Sequence, residues 1–557
     1  MRQYGEEQLK ADKLTWQEAK NRHAEYFAGF VNNQSLRLQS PAQVAGVKAL
    51  AEEIDGNIKN AWDWLVSEQR WHDLIQSMVM GLFQYSIICT YDELIPWVKS
   101  ARISSATDDT PEGRRAYAIF SSQEVYGGST PDVILLERLR STWQMVNQLD
   151  LAEVMGFWFV PLSLLALSYN LISDIDEQLE ATINRLREQK SQYQLGMSLY
   201  FLAHRMSDFV YDEASLFEAA KIFKSMGVIY EQGMVAELMA NHAYRQRRAL
   251  AEVSNYFHQA SQFYRKLKGY TTATGIIFAG LPEIYFRQGK YEQGFAIYEQ
   301  EKQELERLGL MRQLAYIEHW ECLHAARYST NEYALSLRQH SFELAKKFGV
   351  QSDLAWSFFE LGDVYRIIGE PEKALDFYEQ AQPMFEEMNM VLGLSYDQRA
   401  RGDLDLAEKR YPDALVHYQK FDAYAREINH IWSMAQSRAR IALAYAYLGN
   451  IEQAHLDMKS ALTQTYFIRE DALALQTLLS EGVCLVKEGN LDEAIELMSF
   501  LQHHPASWNE VRQHARSIQE MASGRLPEEA VQAAVERGKA LDLDKVVAEL
   551  INRPPSS

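Results

Sequence analysis

The chain has 557 residues, of which 47% are hydrophobic and 24% are charged, so it can bury a core and is not a disordered protein. Its 56 basic and 76 acidic residues give a net charge of −20, which argues against direct contact with nucleic acid, because phosphate binding depends on clustered positive charge. Only 28 glycines and 13 prolines interrupt the chain, which favours long helices.

The cysteines and the polar amino-terminal residues indicate the compartment. Residues 1–13 contain no apolar core of a signal peptide, and the longest apolar stretch, 156–169, is too short to cross a bilayer. Cys89, Cys322 and Cys484 are widely spaced and odd in number, which argues against a disulfide framework. We therefore expect a cytoplasmic protein without membrane contact.

The first hundred residues contain three ordered motifs. RQYGEEQL begins at Arg2, AEYFAGF at Ala24, and ALAEEIDGNIKNAWDWLVSEQRW at Ala49. They resemble the last helix of the winged-helix domain and the helical linker of bacterial signal-transduction ATPases with numerous domains. The residues that carry the linker resemblance are Asp55, Asn57, Ile58, Lys59, Ala61, Trp62 and Trp64. This resemblance implies that 1–12 is the end of a winged-helix-like element and 13–105 a helical linker.

Residues 106–190 keep a helical spacing of apolar residues without a clear period, so we interpret them as degenerate helical repeats. The period becomes clear from about residue 191. Small residues recur every 40 positions, at Ala214, Ser254, Gly294, Ala334, Ala374, Ala414, Ala454 and Ala494. Chance agreement would be on the order of one in a thousand if roughly a quarter of residues are Ala, Gly or Ser.

One unit of this period, FELGDVYRIIGEPEKALDFYEQA from Phe359, has the spacing of a tetratricopeptide repeat (TPR). Gly362 and Ala374 are small enough for two helices to cross closely, and Tyr365 and Tyr378 fill the space around the crossing. We therefore predict an all-α fold in which 191–502 forms a right-handed superhelix, or α-solenoid, of at least seven TPR-like helix pairs. One unit is weak, because Arg401 and Asp405 occupy places that are usually apolar.

The chain after residue 502 changes in character and is predicted to form a C-terminal helical cap, 503–557. Its segment LPEEAVQAAVERGKALDLDKVVAEL, from Leu526, is similar to the tail of many regulators of the same ATPase family, which includes maltose-activator-like and antibiotic-pathway regulators. The resemblance implies a sensor region separated from its nucleotide-binding core. No G-x-x-x-x-G-K-[ST] motif occurs in the sequence, so a phosphate-binding loop is absent from it.

The sequence offers little for catalysis or cofactors. His319, Cys322 and His324 have a spacing that a transition metal could use, but Cys322 falls at a helix crossing, where a free cysteine more often packs in the core. Neither G-x-S-x-G nor H-E-x-x-H is present. We expect no enzymatic activity, no cofactor and no metal.

A ligand groove is predicted from the repeat register. In a TPR pair the first helix lines the concave side, and its exposed positions lie about five residues after the crossing. The candidate groove residues are Arg247, Arg287, Arg327, Trp356, Phe359, Arg366, Tyr396 and Arg399. Arginine forks match carboxylate and phosphate groups, so a protein, a peptide or a small anionic signal is the expected partner. The alternative is that these arginines only pair with acidic residues of the adjacent repeat.

Two functions follow from this fold. One is a sensor whose ligand or partner controls the absent nucleotide-binding core, which would be an upstream partner in a longer protein. The other is a free-standing TPR scaffold that binds a peptide or protein without an attached switch. A Walker-type motif upstream of Met1 in the reading frame would distinguish the first from the second.

Overall fold

The computed structural model describes residues 13–89, 94–127, 133–149, 162–163, 176–203, 212–246, 248–267, 274–309, 311–349, 351–428, 430–468 and 470–553. All regular structure in these residues is helical. The chain divides into two compact units, Met1–Ile277 and Phe278–Ser557. The predicted winged-helix-like element at 1–12 and part of the predicted degenerate repeats lie outside the described residues. Within the described part, no helix is both long enough and apolar enough to cross a membrane.

The first unit begins with the helices of the predicted linker and continues into helix pairs. Its helices are α1 (Lys13–Leu38), α2 (Gln43–Glu53), α3 (Lys59–Ser67), α4 (Trp71–Asp73), α5 (Met80–Cys89), α6 (Leu94–Ser105), α7 (Pro111–Gly127), α8 (Val133–Gln148), α9 (Asp176–Glu188), α10 (Gln192–Ala203), α11 (Glu213–Met226), α12 (Ile229–Arg245) and α13 (Leu250–Tyr264). Short π-helical turns at Ile54–Ile58 and Leu74–Val79 and a 3₁₀ turn at Arg265–Leu267 interrupt this order.

The second unit is a continuous array of helix pairs followed by the cap. Helix α14 (Thr274–Arg287) spans the boundary between the units. The array then contains α15 (Tyr291–Leu308), α16 (Met311–Tyr328), α17 (Asn331–Phe348), α18 (Gln351–Ile367), α19 (Pro371–Glu387), α20 (Val391–Ala407), α21 (Tyr411–Glu427), α22 (Ile431–Leu448), α23 (Ile451–Ile468), α24 (Asp471–Glu488) and α25 (Leu491–His503). The cap has α26 (Asn509–Ser523), α27 (Glu528–Lys539) and α28 (Leu543–Asn552).

The predicted all-α solenoid is confirmed. Between α10 and α25, seven two-helix units have their own two helices in contact within the described residues, which meets the predicted minimum. These units are α10–α11, α12–α13, α16–α17, α18–α19, α20–α21, α22–α23 and α24–α25. From α17 to α24 each helix has 17 or 18 residues, and two or three residues connect it to the next. The 40-residue period therefore consists almost entirely of helix.

The predicted crossing alanines of the second unit are buried. Ala334 is 1% exposed, and Ala374, Ala414, Ala454 and Ala494 are fully buried. Each is the fourth residue of its helix, so the same face turns inward in every pair. A β-carbon on Gly362 would lie 2.7 Å from the Tyr378 ring, which explains why the facing helix also needs a small residue.

The register differs in the first unit. Ala214 is the second residue of α11 rather than the fourth, and it is exposed, while Leu216 takes the buried place at 2% exposure. Successive helical residues are about 100° apart, so a shift of two positions turns a side chain to the opposite face. Small residues thus still recur every 40 positions upstream of Gly294. They no longer occupy the same buried position of each helix.

The linker helices pack against the repeat helices within the first unit. The Gln43 amide donates 2.7 Å to Glu231, and its oxygen accepts from the backbone amides of Ile229 and Tyr230, both at 2.8 Å. Tyr193 donates to the other Glu231 oxygen at 2.6 Å. Gln43 therefore satisfies amides at the start of α12 that have no partner within the helix.

Candidate functional site

Four of the predicted groove residues form one aromatic and cationic cluster on α18 and α20. The ring centroids of Trp356 and Tyr396 are 5.8 Å apart, and those of Phe359 and Tyr396 are 6.2 Å apart. The Arg399 guanidinium lies 5.8 Å from the Phe359 centroid and 5.7 Å from the Tyr396 centroid. The repeat register thus brings these four side chains together, but Phe359 and Arg399 are buried and offer little surface to a ligand.

Arg366 and Arg399 share a carboxylate that sequence reasoning did not single out. Arg399 donates to Asp363 at 2.8 Å, and Arg366 donates to the other oxygen of Asp363, also at 2.8 Å. Burial alone would raise the pKa of Asp363, but the two guanidinium groups outweigh burial and hold this pKa well below its ordinary value. Asp363 is therefore ionised and pairs with both arginines.

The same arrangement recurs one repeat later around Asp403. Arg440 donates to Asp403 at 2.8 Å, and Arg399 donates to it at 2.9 Å. Tyr418 donates to Asp403 at 2.9 Å, as Tyr378 does to Asp363 at 3.3 Å. Burial opposes ionisation of Asp403, yet Arg440, Arg366 and Arg399 lower its pKa below the ordinary value.

The local sequence explains why the carboxylates and tyrosines meet. Gly362 precedes Asp363 and Gly402 precedes Asp403, and each glycine lets the ring of a tyrosine on the following helix lie against the first helix. A β-carbon on Gly402 would lie 2.5 Å from the Tyr418 ring. The tyrosine hydroxyl then reaches the adjacent aspartate. The Gly-Asp pairs 40 residues apart were the sequence signal for this part of the site.

We call the set Asp363, Arg366, Arg399, Asp403 and Arg440 the charged layer. Its side chains are 6–7% exposed, except for Asp363 at 22%. Three arginines face two ionised aspartates, so the layer alone has one excess positive charge. Arg366 and Arg399 are thus paired with acidic groups of their own and the adjacent repeat, as in the alternative considered from the sequence.

The C-terminal segment provides a third carboxylate for the charged layer. Glu510, in the first turn of α26, accepts a 2.7 Å hydrogen bond from Arg366. The side chain of Arg366 is only 7% exposed, whereas that of Glu510 is 44% exposed. A residue 144 positions away along the chain therefore balances the excess charge.

Neighbouring residues of the same segment contact other first helices of the array. The Arg327 guanidinium lies 4.2 Å from the centroid of Trp508. Asn509 donates to the backbone oxygen of Ser329 at 3.0 Å, and the His514 imidazole is 2.6 Å from the Tyr447 hydroxyl. The segment from Trp508 to His514 therefore lies against the C-terminal ends of α16, α18 and α22.

The remaining candidates have different outcomes. Arg327 lies apart from the charged layer and meets Trp508 instead. Arg287 ends α14, but its side chain is outside the described residues, as is the whole of Arg247. The groove assignment of Arg247 and Arg287 therefore remains a prediction.

The three side chains of the metal-like motif contact different residues. His319 lies 2.7 Å from Glu360, and His324 lies 2.8 Å from Glu283. Cys322 is fully buried, with its sulfur 3.2 Å from the backbone oxygen of Ala334 at the helix crossing, so the core-packing interpretation holds for it. Burial raises the pKa of its thiol. No cluster of three potential ligands for a metal ion occurs among the described residues.

An exposed aromatic residue was missed by the sequence reasoning. Tyr316 lies 40 residues before Trp356 and 80 before Tyr396, so all three occupy equivalent positions of first helices. Tyr316 is 48% exposed, and its ring stacks on that of His319 at a centroid distance of 6.3 Å. Among these aromatic residues it has the most surface available to a partner.

Comparisons with known proteins agree with the architecture. The tetratricopeptide repeat family matches residues 331–387. A search of curated proteins finds no significant match.

A search of solved structures matches, among others, three chains. A Rap protein complexed with competence and sporulation factor has 13% identity and a TM-score of 0.39, covering 70% of this chain and 99% of that one. A signal transduction ATPase with numerous domains (STAND) protein with a tetratricopeptide repeat sensor, from Pyrococcus horikoshii, has 12% identity and a TM-score of 0.34, covering 93% and 90%. The TPR domain of P58(IPK) has 14% identity and a TM-score of 0.21, covering 66% and 98%. Residues 331–387, which match the tetratricopeptide repeat family, lie within a longer solenoid of helix pairs with a 40-residue period.

Proposed function

We propose that the chain is the ligand- or protein-binding sensor of a bacterial signalling ATPase or transcriptional regulator, acting in the cytoplasm on a nucleotide-binding core outside this sequence. Its partner would be a protein, a peptide or a small anionic signal, and it would have no catalytic role of its own. The sequence resemblance of the linker and tail motifs supports this proposal.

The single observation that carries binding is the set of equivalent aromatic side chains on consecutive first helices. Tyr316, Trp356 and Tyr396 repeat at intervals of 40 residues, and Arg399 lies against two aromatic rings. Aromatic and arginine side chains contribute most of the free energy at many protein interfaces, because they bury large areas and donate directional hydrogen bonds. Such a surface is suited to an extended peptide or a protein segment.

The partner would act on the core by shifting a conformational equilibrium. A ligand can favour one arrangement of the sensor only if it binds that arrangement more tightly than the other. The alternative function is a free-standing TPR scaffold, which would bind its partner on the same surface without this coupling. A G-x-x-x-x-G-K-[ST] motif upstream in the reading frame supports the sensor, and its absence favours the scaffold.

Quantitative affinity capture from cells of the source organism tests the binding surface. Tyr316→Ala should lose a specific partner, because this variant removes the most exposed aromatic side chain of the set. Tyr466→Ala is the matched control, since Tyr466 is 40% exposed on α23, a second helix of its pair. Both variants should keep the wild-type melting temperature. If every captured protein behaves alike in the two variants, the first-helix surface is not the binding site.

A further inference from the structure

We propose that the segment from Trp508 to Glu510 is an internal ligand of the array and that a peptide with an aromatic–x–acidic sequence displaces it. The proposal rests on the proposed function, because it specifies the partner that the first-helix surface would accept. Three contacts made by three consecutive residues carry it. We call these contacts the polar seam: Trp508 with Arg327, Asn509 with Ser329, and Glu510 with Arg366.

Helix α26 has two faces of different chemistry. Val511, Ala515, Ile518 and Ala522 are at most 1% exposed and belong to an apolar core that also includes Trp508 and residues of α16, α24 and α25. The contacts with the remote helices α16 and α18, in contrast, are a cation–π contact, a hydrogen bond and an ion pair. Helix α26 is thus anchored by its apolar face to α24 and α25, so Glu510 can leave Arg366 without exposing that face. Trp508 is part of the core, so it leaves its place only if another aromatic ring takes it.

The charge of the array favours an acidic occupant at Arg366. With Asp363 and Asp403 ionised, the charged layer has one excess positive charge in a largely buried place. A buried charge without a partner is unfavourable, so the layer requires one more carboxylate. Glu510 supplies it from the chain itself, and a carboxylate of a partner peptide would supply it equally well.

The contact at Arg327 specifies a second feature of the partner. The guanidinium lies over the face of Trp508, whose side chain is 8% exposed, and the indole nitrogen of Trp508 is buried without a hydrogen-bond partner. The indole is therefore held by its ring face rather than by its polar atom, so another aromatic side chain can replace it. The spacing Trp508-Asn509-Glu510 then defines an aromatic residue two positions before an acidic one.

The internal segment would compete strongly with such a peptide, because tethering gives it a high effective concentration. A partner must therefore bind tightly, or the seam must be weakened, before exchange occurs. This predicts that a variant with a weakened seam exposes a peptide site that is closed in the wild type. Removal of Glu510 from the seam would leave α26 anchored through Val511 and Ala515.

The test uses the full chain and a labelled peptide with the sequence of residues 506–513, ASWNEVRQ. Fluorescence anisotropy should give at least tenfold tighter binding to Glu510→Lys than to the wild type, because the lysine is repelled by Arg366 and the peptide supplies the missing carboxylate. Glu520→Lys is the matched control, since Glu520 is an exposed residue of the same helix, and this variant should bind like the wild type. A peptide with glutamine in place of its glutamate should bind the wild type and Glu510→Lys with equal affinity.

Hydrogen exchange measures the seam without a peptide. Glu510→Lys and the milder Glu510→Gln should both speed exchange in residues 504–510 at least tenfold, with α24 and α25 unchanged. Equal exchange in the wild type and both variants, or equal peptide affinity for the wild type and Glu510→Lys, would overturn the proposal. These results require no cellular partner, so this inference and the proposed function can fail separately.

Discussion

Arg399 on α20 donates a 2.8 Å hydrogen bond to Asp363 on α18, and so joins two consecutive repeats through a buried ion pair. Arg399 also bonds Asp403 on its own helix at 2.9 Å. The unit that looked weak in sequence pairs its charged residues in the same way, because Arg401 donates to Asp397 at 2.8 Å and Asp405 accepts from Arg410 at 3.0 Å. Asp397 and Asp405 of the same helix are also buried, at 1% and 8% exposure.

Replacing Arg399 with methionine should lower the free energy of unfolding by about 3–5 kcal/mol, because it leaves buried carboxylates without one of their partners. Arg426→Met is the matched control. Arg426 is 48% exposed and pairs with Asp422 within one helix, so its loss should cost only about 0–1 kcal/mol. Chemical denaturation of both variants measures the difference. Equal losses in the two variants would mean that the charged layer does not stabilise the array.

Replacing Ala374 with leucine should cost roughly 1–3 kcal/mol, because the fully buried crossing has no room for a larger side chain. Gly362 and Tyr378 already fill the space beside it: a β-carbon on Gly362 would lie 3.0 Å from the backbone oxygen of Ala374. Ala407→Leu makes the same change at an exposed position of α20 and should leave stability within about 0.5 kcal/mol of the wild type. Thermal unfolding of the two variants provides the test. A tolerated leucine at position 374 would contradict the close crossing.

The repeat period allowed much of the second unit to be predicted, because crossing positions must be small wherever two helices approach closely. The same register brings Trp356, Phe359, Tyr396 and Arg399 into one cluster, but it did not reveal that Phe359 and Arg399 are buried. It failed at Ala214, where the chain keeps the period but α11 begins two positions later relative to it. A sequence period reports the spacing of residues, whereas burial depends on where each helix begins.

The acidic half of the charged layer and the polar seam were not predicted, for different reasons. Asp363 and Asp403 follow glycines at repeat spacing and were visible in principle, but the groove prediction named only arginines and aromatic residues. Glu510 is 144 residues from Arg366 and lies in the cap, outside the period. No repeat pattern relates two such positions, because their contact depends on how far the array curves over several pairs.

The purified chain should neither bind nor hydrolyse ATP. The reason is the absence of a phosphate-binding loop from its 557 residues, since backbone amides and a lysine in that loop hold the phosphates of a bound nucleotide. Calorimetry with ATP and Mg²⁺ should give no heat beyond dilution, and phosphate release should equal that of a buffer control. Stoichiometric binding with micromolar affinity would refute this prediction.

The stability of the first unit should fall between about pH 4.5 and pH 7 because of Glu237 on α12. Burial raises the pKa of this carboxyl from 4.5 to about 7, although a 3.1 Å hydrogen bond from Tyr264 acts in the opposite direction. The pKa of Glu237 is thus higher in the folded than in the unfolded protein. The contribution of this carboxyl to stability is therefore fully present below its unfolded-state pKa and is lost as the pH rises through its folded-state pKa. The shift corresponds to a loss of roughly 3 kcal/mol between these limits. Glu231 on the same helix is also buried and has a raised pKa, so it too lowers stability as the pH rises. The prediction therefore concerns only the difference in stability between Glu237→Gln and the wild type.

Glu237→Gln should remove this loss, because the amide accepts the Tyr264 hydrogen bond and stays neutral at every pH. The variant should match the wild type near pH 4.5 and exceed it in stability at pH 8. Glu218→Gln is the control, since Glu218 is 40% exposed in its ion pair with Arg187, and its pH profile should follow that of the wild type. Hydrogen exchange of α12 at pH values from 4.5 to 8, corrected for the intrinsic pH dependence of exchange, measures the local free energy of opening. Parallel profiles for Glu237→Gln and the wild type would show that Glu237 is ionised in the folded protein at neutral pH.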